Sequence, residues 1–355
     1  MVQCTFRPLV DLQRRDLEAW AELAGDAAEP NPFYEPDFVL PAVAALGDAD
    51  LALMSVWDAG SLIACLPVAT GRWRGVLPAT AGWRHMYAFL GTPLVRKGQV
   101  ESAISGLLTG RGRRFLVLER ASLDGPVGRA IGAATAAHNL RLLLEVPFER
   151  ALLRRREDGE YLAGIRSHHR RDLERLGRRL AERLGGELTT VDRAGEEAAT
   201  RSFLGLEARG WKGRGGTAMA SHTGHAEFFA EICRRFAAAG RLQLLELAGN
   251  GRPVAMKCNL KAGEGWFAFK IAHDEEFDGY SPGVQLELSN IARFHASGAA
   301  WMDSCADADN LMINRLWPER RRLCSLVLSD RSGVAKAAGA GLQVANRVRR
   351  RRRVG

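Results

Sequence analysis

Long apolar runs, clustered cysteines and a leader-like amino terminus are all missing from this sequence of 355 residues. The longest stretch without a charged residue covers residues 59–71 and contains Pro67, whereas a membrane-spanning helix needs roughly 20 apolar residues. The six cysteines are scattered and none forms a C-x-x-C pair, which argues against a zinc cluster or a disulfide framework. No apolar segment with a small-residue cleavage site opens the chain. These absences predict a cytoplasmic protein with no transmembrane segment and no bound metal.

Acidic residues are missing from the carboxyl-terminal part of the chain. The formal net charge is +9 at pH 7. Residues 331–355 contain eight basic residues and no acidic one, so the rest of the chain is nearly neutral. Five consecutive arginines, Arg349–Arg353, repel one another and favour an extended tail. We expect this tail to give weak, salt-sensitive contact with anionic membranes or nucleic acid, and to take no part in catalysis.

The first half of the chain is predicted to contain mainly strands and short helices. With 46% of its residues apolar and 26% charged, the chain has the composition of a folded protein. Residues 51–57 and 61–69 are apolar and flank the turn Asp58-Ala59-Gly60, which predicts a hairpin. Two further apolar runs, residues 113–119 and 140–146, are typical of buried strands.

Residues 161–184 have a helical pattern, because apolar residues recur every three or four positions and Gly185-Gly186 ends the run. Two interpretations of the opposite, basic face remain open. It belongs to a solvated helix that joins two modules, or it binds a polyanion. The arginines of this face are Arg166, Arg170, Arg171, Arg175, Arg178, Arg179 and Arg183.

The second half of the chain has clear turn and helix signals. Its pattern predicts an α/β (α+β) fold with a mixed, largely antiparallel sheet and not a series of parallel crossover units. The expected strands are residues 187–192, 241–248, 252–260, 265–274, 301–305 and 323–329, with helices at 196–209, 226–239 and after Ser281.

The two predicted hairpins resemble each other. Residues 60–64 and 251–255 both begin with a turn glycine and end with an apolar residue followed by alanine, at an offset of 191 positions. A duplicated module explains this similarity. Chance similarity of two hairpins remains the alternative.

Three segments resemble a known family: FLGLEARGWKGRGGTA (203–218), FKIAHDEEFDGYSPGVQLELSNIARF (269–294) and WMDSC (301–305). They are similar to GNAT-type N-acyltransferases of the double-module, FemAB-like branch, which includes acetyltransferases associated with cellulose and exopolysaccharide synthesis. The resemblance implies two GNAT-like modules joined by a long helix. The expected organisation is an N-terminal module (1–155), a connecting helix (156–185), a C-terminal acyltransferase module (186–330) and the basic tail (331–355).

The resemblance also implies an activity. We expect transfer of an acyl group, most simply acetyl, from acyl-CoA to an amine of a small-molecule or glycan acceptor, such as an amino sugar or an envelope polysaccharide precursor. One alternative is an aminoacyl-tRNA donor, whose phosphates the arginine helix and the tail would contact. Another is a non-catalytic GNAT-like module that binds an envelope-polymer synthase or nucleic acid.

The donor site is expected where a helix begins after Tyr280. Ser281 is a good N-cap, Pro282 suits the first helical turn, and Gly283 lets a ligand approach the backbone. Most GNAT enzymes hold the coenzyme A pyrophosphate with a Q/R-x-x-G-x-G/A loop, and this chain has Tyr280-Ser281-Pro282-Gly283 there. The resemblance therefore implies that acetyl-CoA or another acyl-CoA contacts Tyr280, Ser281, Gly283 and Val284.

Acyl transfer to an amine needs a base, donors for the oxyanion and an acid for the leaving group. The matched segments contain four candidates, namely Glu207, His273, Tyr280 and Asp303. Two have rival roles: Asp303 as a cap of the segment 306–316, and Glu207 as a surface carboxylate of its helix. The chain contains no G-x-x-x-x-G-K-[ST] motif, so a P-loop enzyme is not expected.

Substrate contacts are expected from a flexible basic loop and from one strand. The loop supplies Trp211, Lys212 and Arg214, whose charges suit an anionic or sugar ligand. Asp274 is a further candidate, and so is Lys270, because simple alternation places it on the face opposite Phe267 and Phe269. A different pair, His222 and His225, stands three residues apart without a nearby cysteine or carboxylate cluster, which predicts an ordinary loop and not a metal site.

Overall fold

The computed structural model describes residues 2–47, 50–73, 75, 77–156, 167–333 and 341. Within these residues none of the helices is long and apolar enough to cross a membrane. The strands are β1 (Gln3–Pro8), β2 (Ala52–Asp58), β3 (Ser61–Trp73), β4 (Leu77–Gly82), β5 (Leu94–Val95), β6 (Phe115–Ser122), β7 (Arg141–Leu144), β8 (Phe148–Arg154), β9 (Leu188–Asp192), β10 (Leu242–Gly249), β11 (Arg252–Ala262), β12 (Gly265–His273), β13 (Trp301–Asp303) and β14 (Glu319–Ser329). The helices are α1 (Arg14–Gly25), α2 (Pro36–Leu46), α3 (Val100–Thr109), α4 (Pro126–Ala137), α5 (Ser167–Leu184), α6 (Glu197–Arg209), α7 (Trp211–Arg214), α8 (His225–Ala238), α9 (Pro282–Ala296) and α10 (Leu311–Leu316).

The chain divides into two compact units. Unit 1 contains residues 1–43, 48–150 and 321–355, and unit 2 contains residues 44–47 and 151–320. This division differs from the predicted limits at the carboxyl end, where residues 321–330 belong to unit 1. The reason is strand pairing, because β14 bonds antiparallel to β6 and β7.

Parts of two predicted segments lie outside the described residues. In the connecting helix these are residues 157–166, so the described helix α5 begins at Ser167. In the basic tail they are residues 334–340 and 342–355, which include Arg349–Arg353. The predicted role of the tail therefore stays a prediction.

The sheet of unit 1 follows the order β1-β2-β3-β4-β6-β14, with β5 beside β3 and β7 beside β14. Its pairs are antiparallel except for β4 and β6, which are parallel. The strands of unit 2 follow the order β8-β13-β12-β11-β10-β9, and again one pair, β12 with β13, is parallel. A mixed, largely antiparallel α/β fold is thereby confirmed.

Helices cover both faces of the unit 2 sheet. On one face the rings of Phe203 in α6, Phe229 in α8 and Phe269 in β12 stack, with centroids 4.8 and 6.3 Å apart. On the other face Leu180 of α5 and Leu286 of α9 pack against β10 and β11. This layering follows from the sequence, since α6, α8 and α9 each bury one apolar stripe.

The two predicted hairpins share more than their sequence. Hairpin β2–β3 turns at Ala59 and Gly60, with φ of +47° and +85°, and hairpin β10–β11 turns at Asn250 and Gly251, with φ of +49° and +74°. Positive φ at both central residues is typical of the type I′ turn, which matches the twist of the strands. These antiparallel hairpins confirm the prediction from the turn signals.

Each of these hairpins also contains a bulge. The register shift leaves Ile63 as the extra residue in β3 and Val254 as the extra residue in β11, again 191 positions apart. Each hairpin is followed by an antiparallel strand and then, beyond a helix, by a parallel partner. This repeated order supports the duplication that the sequence predicts.

A third bulge changes the predicted orientation of Lys270. In the pairing of β11 with β12, Cys258 faces Lys270 and Asn259 faces Ala268, so Phe269 is the extra residue. Phe269 contacts α8 and Lys270 contacts α6, which cover the same face of the sheet. The prediction that Lys270 points away from Phe269 is therefore wrong, because alternation fails where a strand bulges.

Candidate functional site

The candidate site of unit 2 is built around a buried carboxylate, Glu207 of α6. Its side chain is 2% exposed. One oxygen accepts hydrogen bonds from Lys212 Nζ at 3.1 Å and Lys270 Nζ at 3.3 Å, and the other accepts from the Met219 backbone N–H at 2.9 Å. Glu207 is therefore not a surface carboxylate, which was the rival interpretation. We call Glu207, Lys212 and Lys270 the lysine–glutamate cluster.

A tight helical turn brings Lys212 to this cluster. Helix α6 ends at Arg209, and Gly210 is both its C-cap and the N-cap of the short helix α7. A Cβ at Gly213 would lie 1.7 Å from the Ala208 carbonyl oxygen, so only glycine permits this close approach. Lys212 Nζ also donates to the Ile271 carbonyl oxygen at 3.1 Å. The predicted flexible loop thus begins as an ordered helical turn.

The cluster perturbs the acidity of its members. Burial acts to raise the pKa of Glu207, but the ammonium groups of Lys270 and Lys212 and the N–H of Met219 outweigh it and lower that pKa. Burial lowers the pKa of Lys270, and the like charge of Lys212 adds to this, although Glu207 opposes both. The carboxylate is thus firmly ionised, while Lys270 holds its proton less tightly than a surface lysine.

The other predicted substrate residues lie around Glu275, which the sequence analysis did not single out. Trp211 donates its backbone N–H to Glu275, and the Arg214 guanidinium pairs with the same carboxylate. The Trp211 side chain is 58% exposed. Asp274 instead pairs with Arg252, 2.9 Å away. The exposed ring of Trp211 is therefore accessible to a ligand, next to Lys212 of the cluster.

Two predicted catalytic residues lie on the segment that follows β12. His273 Nε2 is 2.8 Å from Asp278 Oδ1, in a half-exposed pair. The Tyr280 ring lies under the guanidinium of Arg179 from α5, 5.9 Å from its centroid. Neither contact involves the lysine–glutamate cluster.

Asp303 ends β13 and is fully buried. Its Oδ1 accepts the backbone N–H of Cys305 at 2.9 Å, while helix α10 is capped by Asn310, which accepts from Ile313 at 3.2 Å. Asp303 therefore stabilises the turn after β13 and does not cap that helix.

The parallel pairing of β12 and β13 reaches only to the pair Phe267 and Asp303. The six remaining residues of β12 therefore extend past the end of β13, and they include Lys270.

The start of α9 provides few backbone N–H groups for binding a pyrophosphate. Ser281 is the N-cap, but its φ is +54° and it makes no side-chain capping bond in the described part of the chain. Pro282 has no N–H, and the N–H groups of Val284 and Gln285 both donate to the Ser281 carbonyl oxygen. Gly283 remains the candidate donor of this turn. A Cβ on it would make only ordinary contacts, at 3.7 Å from His273 Nδ1, so the position is not a cradle that requires glycine.

The pair His222 and His225 lies at the end of the connection between α7 and α8. The residues His222 and His225 follow directly on the turn that donates the Met219 N–H to Glu207, and their rings lie 4.9 Å apart. Burial lowers the pKa of His225, and the charges of His222 and Lys270 lower it further.

Comparison with protein families and known proteins gives one family match. Residues 167–310 match the model described as an acetyltransferase (GNAT) domain. The matched segment contains the whole lysine–glutamate cluster. A search of curated proteins gives no match. Unit 2 therefore carries a domain similar to GNAT acetyltransferases.

Several solved structures resemble the chain along most of its length. FemX superposes with a TM-score of 0.58 at 10% identity, over 87% of this chain and 95% of that chain. A conserved protein of unknown function from Bacteroides thetaiotaomicron gives 0.59 at 13% identity, over 93% and 100%. The C-terminal domain of a putative lysylphosphatidylglycerol synthetase from Agrobacterium fabrum gives 0.55 at 14% identity, over 93% and 95%. At such identities these similarities establish the fold alone.

Proposed function

We propose that unit 2 transfers an acyl group from acyl-CoA to an amine of a polar acceptor. The observation that carries this proposal is the lysine–glutamate cluster, which lies at a bulge of β12 within the segment that matches the GNAT domain. A buried carboxylate with two ammonium groups is costly to build, and such groups gather where charge develops during a reaction.

In this proposal Lys270 stabilises the oxyanion. Attack of the amine on the acyl carbonyl places negative charge on the carbonyl oxygen, and an ammonium in a buried site is a strong donor to it. Glu207 holds Lys270 and Lys212 in place through one carboxylate oxygen. Glu207 is then a positioning residue, because its bonds go to the lysines and to the Met219 backbone.

The acceptor that we propose is a ring-shaped polar amine, such as an amino sugar or an envelope polysaccharide precursor. Trp211 presents an exposed ring beside the cluster, and aromatic faces stack well on the apolar faces of sugar rings. Arg214 lies on the same short helix and adds a donor for hydroxyl or anionic groups. These contacts favour a saccharide amine over a purely apolar one.

The test uses acetyl-CoA with glucosamine as the probe acceptor. We expect release of the coenzyme A thiol together with N-acetylated sugar, and loss of both in Lys270→Met. Lys261→Met is the matched control, because Lys261 lies on the neighbouring strand β11 over the ring of Trp266. A wild-type protein that neither transfers acetyl nor binds acetyl-CoA contradicts the proposal, and this is also the outcome expected of a non-catalytic module.

A second candidate donor is aminoacyl-tRNA, which the FemAB-like resemblance implies. The observation that favours it is helix α5, whose arginines Arg171, Arg178 and Arg179 are exposed. Salt-sensitive binding of tRNA, weakened by Arg171→Gln and Arg178→Gln together, supports this donor. Tight binding of acetyl-CoA with no effect of these substitutions supports the first one.

A further inference from the structure

The short helix α7 carries the residues that are proposed to contact the acceptor. It has only 4 residues, too few for a helix to be stable by itself. Trp211 and Arg214 stand three positions apart and therefore lie on one face of its single turn. Lys212 reaches from the same turn into the lysine–glutamate cluster. The position of α7 must come from its contacts with neighbouring elements.

Glu275 holds this turn at both of its ends. Its Oε1 accepts the backbone N–H of Trp211, and its Oε2 accepts a hydrogen bond from the guanidinium of Arg214. One side chain is thereby bonded to the first and the last residue of α7. A Cβ at Gly210 would lie 2.9 Å from Glu275 Oε1, so the glycine leaves room for the carboxylate.

The same contacts attach α7 to the strand that carries Lys270. Glu275 lies just after the end of β12, and Lys212 Nζ donates to the carbonyl oxygen of Ile271 within that strand at 3.1 Å. Trp211, Lys212 and Glu275 line one small cavity of about 20 Å³, which has room for roughly one water molecule. The turn is therefore packed closely against the end of β12, and these contacts set the position of the Trp211 backbone relative to Lys270.

We propose that Glu275 is a positioning residue for the acceptor, an inference that rests on the function proposed above. It holds α7 so that the exposed ring of Trp211 is already in place when the acceptor binds. A binding surface that is ordered in advance binds more tightly, because no ordering is needed on association. The bonds of Glu275 to α7 make it act on the acceptor through Trp211 and Arg214.

This role concerns binding of the acceptor more than the chemical step. Lys212 and Lys270 are bonded to Glu207, and those bonds do not involve Glu275. The ring of Trp211 contacts the acceptor before and during the reaction alike. Loss of such an interaction raises KM and leaves kcat nearly unchanged.

The two contacts of Glu275 differ in their expected weight. The ion pair with Arg214 is exposed on the arginine side, and exposed pairs contribute little. The bond to the Trp211 N–H fixes the backbone at the start of α7. Glu275→Gln keeps an oxygen that can accept this N–H, whereas Glu275→Ala removes both contacts.

The test measures KM and kcat for glucosamine and for acetyl-CoA. We expect Glu275→Ala to raise KM for glucosamine at least about 10-fold and to change kcat less than about threefold, with KM for acetyl-CoA unchanged. Glu275→Gln should restore most of the lost affinity for glucosamine. A merely structural role predicts a different result, since loss of folded protein lowers the maximal rate and changes neither KM.

Glu276→Ala is the matched control for loss of a carboxylate. Glu276 is the next residue and pairs with Arg252 at 2.7 Å, so its removal should change neither KM. A double-mutant cycle with Trp211→Ala tests whether Glu275 acts through the ring. In the Trp211→Ala background, Glu275→Ala should add little to KM for glucosamine, because the ring that it holds is gone.

Hydrogen exchange at the Trp211 amide tests the contact without turnover. We expect slow exchange in the wild-type protein, faster exchange in Glu275→Ala and no change in Glu276→Ala. Equal exchange in the wild-type protein and Glu275→Ala overturns the inference. An unchanged KM for glucosamine in folded, active Glu275→Ala protein, or a fully additive effect in the cycle, also overturns it. Wild-type protein that neither transfers acetyl nor binds acetyl-CoA overturns the proposed function instead.

Discussion

Glu207 is the residue on which the candidate site depends most, because three donors converge on it in a buried place. Removing a charge from such a cluster leaves its partners without compensation. The effect is larger than the direct value of any one bond, since buried ammonium groups lose their counter-charge while they remain out of water.

We therefore predict that Glu207→Gln lowers the free energy of unfolding by about 1–3 kcal/mol. The amide keeps the shape and one acceptor oxygen but no longer balances Lys270. Glu231→Gln is the control, because Glu231 pairs with Arg234 and Arg235 near the surface and should cost less than about 1 kcal/mol. Denaturant unfolding of the three proteins measures this difference, and equal losses in both variants contradict the prediction.

The same carboxylate predicts a dependence of stability on pH. The pKa of Glu207 is lowered in the folded protein, so its contribution is present above the pKa of an unfolded glutamate and is lost as the pH falls through the folded value. The stability difference between wild-type protein and Glu207→Gln should then shrink on acidification from pH 7. Unfolding curves at several pH values test this, and a constant difference contradicts it.

At this scale the sequence predicted the identity of the cluster residues but not their grouping. Glu207, Lys212 and Lys270 were named in three different roles. The orientation of Lys270 was wrong because nothing in the local pattern FAFKIAHD marks the bulge at Phe269.

Among the elements, the join between α6 and α7 is the most constrained. Gly213→Ala places a methyl group against the Ala208 carbonyl and should destabilise the protein by about 1–3 kcal/mol, with release of Lys212 from the cluster. Gly205→Ala, in the middle of α6, is the matched control and should stabilise by up to about 1 kcal/mol, since its Cβ finds room. Thermal unfolding measures the change in Tm of each variant. A change in the same direction in both variants contradicts the prediction.

Helix α9 offers a test of the predicted pyrophosphate position. Gly283→Ala makes only ordinary contacts and should leave donor binding unchanged, whereas the branched side chain of Gly283→Val should crowd His273 and Ile271 and weaken it. Calorimetric titration with coenzyme A compares the two variants. Unchanged binding in a folded Gly283→Val protein places the pyrophosphate elsewhere.

Helices and hairpins were the elements that the sequence predicted best. Turn residues with positive φ and a clear apolar period are local signals, so β2–β3 and β10–β11 were correct within a few residues. The helix start at Ser281 was also found, but within the described residues its side chain makes no capping bond of the kind the residue type predicts. A left-handed Ser281 depends on the preceding turn, and the helix pattern carries no information about it.

For the whole molecule, the repeat raises the question of how many sites the chain contains. The strand of unit 1 that occupies the place of β12 is β4, whose sequence LPATAG has no charged residue. The carboxylates of the described helix α1, namely Asp16, Glu18 and Glu22, pair with arginines, whereas Glu207 of α6 pairs with lysines. We therefore predict one donor site per chain, which the stoichiometry of acetyl-CoA binding measures. A second site of similar affinity contradicts this.

The basic tail is predicted to act apart from the chemistry. A variant that ends at Asp330 should keep its fold and its turnover of glucosamine. It should lose retention on vesicles that contain phosphatidylserine at low salt, because each basic residue contributes about 1 kcal/mol near an anionic surface. Loss of turnover in the shortened protein would assign the tail to the active site.

The placement of β14 has a consequence for biosynthesis. This strand completes the sheet of unit 1, yet residues 151–318, which form nearly all of unit 2, precede it in the chain. During synthesis on the ribosome, unit 1 cannot complete its sheet until unit 2 has been synthesised. Until then one edge of β6 lacks its partner β14. An incomplete edge is a template for pairing with other chains. Nascent chains arrested before residue 319 are therefore the form of this protein most exposed to aggregation and most in need of chaperones.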